Sequence, residues 1–230
     1  MKKSIKMECT ERFKFPKNEI ILSQIGNKME SKNQKEIINL FRKNIFLRAS
    51  IREISKRLKK KSYQRVYDAV KELEDKKILK LERMGKSDIV SLELNHQSVL
   101  HLAYADEKEH IGKIPNYEKL MNLREVSNYL LIVTGSYAKG TATKKSDLDL
   151  VIVVPDNQKA IDIQKLVDNL TLVFYPKVHL YVFNNKDFLE MLLEKKENYG
   201  KEIYRNHLIL KNAHIYYEIL REAQEHGFKG

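Results

Sequence analysis

The stretch VTGSYAKGTATKKSDLDLVIVV holds the residues best suited to chemistry. Gly135 and Ser136 close one apolar run, ten residues intervene, and Asp147 and Asp149 open the next. Alternate positions on a strand project to the same face, so the two carboxylates stand together, about 7 Å apart, while Leu148 and Leu150 turn to the other face. A cation between the carboxylates relieves their repulsion, and hard oxygen ligands select magnesium or manganese. Gly135 lets the backbone approach a phosphate closely, and Ser136 adds a hydroxyl beside exposed amides. Lys139, Lys144 and Lys145 lie in the spacer, where ammonium groups can meet a triphosphate.

At these residues the chain resembles the nucleotidyltransferase superfamily related to DNA polymerase beta, in particular its minimal prokaryotic and archaeal members. The resemblance covers roughly residues 115 to 222 and rests on GS-x10-DLDL after an apolar strand. It implies that Gly135 and Ser136 bind a nucleoside triphosphate, which Lys139 can meet from the spacer, and that Asp147 and Asp149 hold Mg2+ or Mn2+. A hydroxyl of an acceptor then attacks the alpha phosphate. It also implies a third carboxylate on a later strand, and the matching position in KVHLYVFN holds His179. Neutral imidazole is a poor magnesium ligand, although it serves manganese or acts as a base. Asp187 and Glu190 follow, but past that strand and on a helix.

Short apolar strands carry this pattern: YLLIVTG, DLDLVIVVP and KVHLYVFN, with IDIQKLVDNL as a crossover helix between the last two. The tail from Asp187 onward reads as one or two amphipathic helices with Ile203, Leu208, Ile215 and Ile219 turned inward. The result is an α/β (α+β) unit, a small mixed sheet covered by helices.

The chain carries 43 Lys and Arg against 31 Asp and Glu, a formal net charge of +12. Through residue 110 the balance is 26 basic to 16 acidic, so the basicity belongs to the first half. Such a surface suits a polyanion. Residues 31–43 open on a capping serine and place Ile37, Ile38, Leu40 and Phe41 on one helical stripe. A second helix fits SIREISKRLKK, and a third fits SYQRVYDAVKELEDKK, with Tyr63, Val66, Val70 and Leu73 as its buried face. Two alternating runs around Gly85 then read as a hairpin. This order resembles the winged helix-turn-helix of prokaryotic transcription regulators. It implies that the third helix enters the major groove. Ser62, Gln64 and Arg65 then face the bases, Lys59, Lys60 and Lys61 the phosphates, and Arg83 and Lys86, flanking the hairpin turn, the adjacent DNA backbone or minor groove.

The single cysteine, Cys9, excludes an intrachain disulfide framework and a multi-cysteine zinc site. No apolar run reaches the roughly 18 residues of a membrane span, and the basic start lacks a secretory core, which suits a cytoplasmic protein. The expected organisation is a basic lead at 1–30, a winged helix-turn-helix domain at 31–95, a connector helix at 96–114 and a nucleotidyltransferase-like domain at 115–230. The leading function is nucleoside monophosphate transfer to an unidentified acceptor, with DNA or RNA bound by the first domain, no membrane, and a homodimer or protein partner left open. The alternative is a catalytically degenerate transferase fold in a DNA-binding regulator or antitoxin-like protein.

Overall fold

The computed structural model describes residues 31–109, 112–123 and 126–230. The basic lead at 1–30, with Cys9, lies outside the described residues. Helix α1 (Lys32–Lys43) starts at Ser31, whose hydroxyl accepts from the Gln34 amide while the Gln34 side chain accepts from the Ser31 amide. Ile37, Ile38 and Phe41 are its buried stripe. Strand β1 (Arg48–Ser50) leads into α2 (Ile51–Arg57), capped by Ser50, and α3 (Tyr63–Asp75), capped by Ser62. Strands β2 (Leu79–Met84) and β3 (Ser87–Leu92) form an antiparallel hairpin around Gly85, which turns at φ +59°. β1 pairs with β3, giving a sheet ordered β1-β3-β2. The sequence pattern misses β1, because three residues are too few to establish a period of two. It also misplaces Tyr63, which is 43% exposed: the α3 stripe is Val66, Ala69, Val70 and Leu73, and Tyr63 precedes the point where the helix meets the core.

Helix α4 (His96–Glu109) and the short α5 (Tyr117–Met121) lead to the second sheet. Its elements are β4 (Leu130–Val133), α6 (Gly135–Ala138), β5 (Leu148–Val154), α7 (Ala160–Thr171) and β6 (Val178–Asn184). Then come α8 (Asn185–Leu193), α9 (Tyr199–Arg205), β7 (Leu208–Lys211) and α10 (Ala213–Glu225). The strand order is β6-β5-β4-β7. β5 and β6 run parallel, joined by α7, while β4 is antiparallel to both β5 and β7. The expected all-helical tail is therefore corrected. Leu208 begins a strand, because β4 has a second edge whose backbone groups require a partner.

Alternation along β5 divides the core. Leu148, Leu150, Ile152 and Val154 pack with Val167 of α7 and Leu120 of α5. Val151 and Val153 face the other way and join a cluster that also holds Phe188 of α8, Leu220 of α10 and the α1 to α3 stripes. Helix α4 is the shared wall of that cluster. Its buried Asp106 pairs with Arg42 of α1 and accepts from the Tyr217 hydroxyl of α10. Glu107 accepts from the Ala213 amide at 2.8 Å, and burial pushes its carboxyl above the usual range against that hydrogen bond. Two small sheets covered by helices, one antiparallel and one mixed, are thus the observed architecture. Among the described residues no helix is long and apolar enough to cross a membrane.

Candidate active site

Strand β4 is wholly buried and delivers the residues that follow it to one end of the sheet, beside the start of β5. The Thr134 amide donates to the Asp149 carbonyl at 2.9 Å, prolonging the β4–β5 ladder by one step. The chain then turns into α6, with Gly135 in the left-handed region at φ +63°. The backbone bonds of this turn run from Ala138 to Thr134, Lys139 to Gly135, Gly140 to Tyr137 and Thr141 to Ser136. They take up none of the amides of Gly135, Ser136 and Tyr137, which remain available to an anion. A Cβ on Gly135 would fall 1.9 Å from Asp149 Oδ2, so glycine is demanded by the carboxylate next to it as well as by its own torsion.

The parallel register pairs Asp149 with His179. The imidazole lies between the two carboxylates, Nε2 at 3.5 Å from Asp147 Oδ2 and Nδ1 at 3.5 Å from Asp149 Oδ1. All three side chains are partly exposed. Among the described residues no lysine or arginine pairs with either aspartate. Two neighbouring carboxylates without a fixed basic partner suit a divalent cation. No group of three His, Cys, Asp or Glu is gathered closely enough among the described residues to hold an ion as it stands. Asp187 and Glu190 do not complete the set, since they lie on α8 beyond the far end of β6. Asp187 is occupied with the Asn184 amide, as part of the α8 capping box.

Helix α9 supplies a wall that the sequence reading did not anticipate. The Tyr199 hydroxyl is 3.1 Å from Thr134 Oγ1, and its ring packs on Tyr181, with centroids 4.9 Å apart. Burial pushes this hydroxyl above its ordinary value. The Thr134 bond opposes the shift, and Tyr181, Asp149 and Glu202 add to it, so the Tyr199 hydroxyl stays neutral. Glu202 Oε1 accepts from Lys139 Nζ at 3.0 Å, tying the end of α6 to α9. Lys139 thus reaches the site with its charge already engaged. Tyr199 and Glu202 share a helix face three residues apart, the one signal in the sequence that could have found them.

Residues 118–208 match the family model of the nucleotidyltransferase domain. That span includes Gly135, Ser136, Asp147, Asp149, His179, Tyr199 and Glu202, so the similarity lies in the C-terminal half and covers the whole cluster. Nucleotidyltransferase domains generally use divalent metals. No curated protein matches the chain. Among solved structures, TrmBL2, an archaeal chromatin protein whose structure shows a novel mode of DNA binding, is similar at 15% identity and a TM-score of 0.27. The match covers 80% of this chain and 75% of that one. At that score the likeness carries no weight for fold or function.

The residues expected to meet nucleic acid are spread over the turn between α2 and α3, the first turn of α3 and the β2–β3 hairpin. Lys59 and Lys61 are exposed, Lys59 at φ +51°, whereas Lys60 pairs with Glu36 of α1. Ser62 Oγ accepts from the Arg65 amide as the α3 cap, and Gln64 donates to Asp68 at 2.7 Å. Arg65 and Lys86 are exposed. Arg83 donates to Asp88 at 2.9 Å and to the Gly85 carbonyl at 3.1 Å, so it braces the hairpin turn.

Proposed function

We propose that residues 115–230 form a nucleotidyltransferase-like domain that transfers a nucleoside monophosphate from a triphosphate to an acceptor hydroxyl. The observation that carries this reading is the meeting of Gly135, Asp147, Asp149 and His179 at one end of the sheet, inside the span of the family match. Asp147 and Asp149 hold Mg2+ or Mn2+, which supplies charge neutralisation for the phosphates. Gly135 and Ser136 present the turn's amides to the triphosphate, and Lys139 is released from Glu202 to join them. The acceptor oxygen forms a bond to the alpha phosphorus as the bond to the pyrophosphate oxygen breaks, and pyrophosphate leaves. In this reading the His179 imidazole takes up the proton that the acceptor hydroxyl loses, and the neutral Tyr199 hydroxyl holds Thr134 against the start of the turn.

Residues 31–95, with three helices and a hairpin, act in this reading as a winged helix-turn-helix that brings the transferase to DNA, the basic lead 1–30 preceding it and 96–114 connecting it. Lys59, Lys61 and Arg65 support it by their exposure. One observation favours a second reading, in which the transferase fold is inert in a DNA-binding regulator: the third position holds imidazole rather than carboxylate. Calorimetry with a nucleoside triphosphate, with and without Mg2+, tests the site. Metal is expected to strengthen binding at least tenfold in the wild type and not in Asp147→Ala with Asp149→Ala, both of which keep the fold because neither carboxylate anchors it. Equal weak binding by both would reject the triphosphate site.

A further inference from the structure

The α7–β6 connection projects an apolar knuckle from the protein. Leu172, Val173 and Tyr175 are 77%, 84% and 81% exposed, far beyond what scattered surface residues require. The knuckle is held rather than loose. The Tyr175 hydroxyl donates to the Lys144 carbonyl at 3.2 Å, Asn116 donates to the Tyr175 carbonyl at 3.1 Å, and Lys119 covers the Phe174 ring. Lys119, Lys144, Lys145 and Lys177 surround it, and none of them has an acidic partner among the described residues. A fixed apolar tip within a basic collar fits a hydrophobic cleft with an acidic rim.

The chain carries such a cleft itself. Between α8 and α10 lies a groove of about 560 Å³, with Leu189, Leu193 and Ile219 on its floor. Its lining holds Asp156, Glu190, Glu218 and Glu222 against Lys186 and Arg221; Lys186 pairs with Glu190 and Arg221 with Glu218 and Glu225, which leaves Asp156 and Glu222 without a basic partner among the described residues. The groove is thus locally acidic on a protein of net charge +12. The knuckle sits where β6 begins and the groove where β5 and β6 end, so a seven-residue strand, about 20 Å, separates them within one molecule.

We propose that the knuckle of one copy seats in the α8–α10 groove of a second copy. The two surfaces differ, so the contact is heterologous: it leaves a free knuckle at one end and a free groove at the other, and it continues until a ring closes. Apolar burial supplies the attraction, and the lysine collar against the carboxylate rim sets the register.

Sedimentation velocity on the full chain tests this at about 0.15 M salt, where repulsion between like net charges is screened beyond about 8 Å. The weight-average mass should rise with concentration. Leu172→Glu with Val173→Glu, and separately Glu190→Lys with Glu222→Lys, should each give a monomer, with circular dichroism confirming the fold of both. Mixing the two variants leaves one intact knuckle and one intact groove, so the mixture should form dimers and stop there. A wild type that stays monomeric, an association that neither variant weakens, or a mixture that fails to pair would each overturn the proposal.

Discussion

The Asp149 carboxylate fills the space into which a side chain at Gly135 would grow: a Cβ there would lie 1.9 Å from Oδ2 and 2.9 Å from Cγ. The turn that opens α6 and the second carboxylate of the pair are therefore one structural unit. Gly135→Ala must both hold alanine at φ +63° and push Asp149 aside. We expect a loss of about 1–3 kcal/mol in unfolding free energy from the strain. We also expect loss of the Mg2+-dependent part of triphosphate binding under conditions where the variant is still folded. Denaturant titration and calorimetry read the two effects separately, and a variant with wild-type values in both would disprove the coupling.

Strands β4 and β5 and the crossover helix α7 were legible because each is a continuous or periodic apolar pattern bounded by polar residues. The Asp147–Asp149 face followed from alternation alone. The relation of His179 to that face did not, because a parallel register is set by how α7 packs and a shift of one residue would have turned His179 to the opposite side. Tyr199 and Glu202 reach the site from a helix with no pattern of its own linking it to residue 134. Strand β7 was hidden inside a tail whose flanks, α9 and α10, both have helical periodicity. Lys60 looked like its neighbours until packing placed Glu36 beside it.

That difference among the lysines makes the nucleic-acid reading testable. Each phosphate neutralised contributes about 0.9 to the slope of log affinity against log salt. Lys59→Ala with Lys61→Ala in the full chain should reduce the slope for duplex DNA by about 2, whereas Lys60→Ala should change it much less, its ammonium being engaged by Glu36. Arg65→Ala should instead relax any preference among sequences. Filter binding or fluorescence anisotropy from low to physiological salt measures all three. Binding that does not respond to salt would remove this role from the first half.

Stability should fall on mild acidification. Burial lowers the His207 imidazole below its ordinary value, Asp106 and the Ile203 and Tyr204 carbonyls opposing the shift, and burial lowers His214 likewise. As pH drops below about 6.5 the unfolded chain takes up these protons before the folded one, so the folded state loses stability from there down to the lowered values. Glu107 works the other way. Its raised carboxyl favours the folded state at low pH, and that contribution is lost as pH rises through the raised value. The test is the thermal midpoint from pH 8 to 5.5, which should decline in the wild type and decline less in His207→Gln. An identical decline in both would show that His207 is not a source of the effect.

The nature of the third position decides between a working transferase and an inherited fold. His179 lies 3.5 Å from each aspartate, on the strand directly beside Asp149, so it stands where an oxygen ligand or base would complete the set. Imidazole ligates magnesium poorly and manganese better. The wild type should therefore transfer alpha-labelled nucleotide weakly with Mg2+ and more strongly with Mn2+. His179→Asp restores an oxygen donor and a potential base at the same register, and should raise the Mg2+-supported rate by tenfold or more, on the order of a single general-base contribution. The readout is incorporation into a mixed pool of RNA, DNA and protein acceptors, with His179→Ala as the control for merely emptying the space. A gain in His179→Ala equal to that in His179→Asp would mean that the ring only obstructs the carboxylates. Strong Mg2+-supported transfer by the wild type, unchanged in His179→Ala, would mean that some other group, such as Glu202 released from Lys139, completes the site.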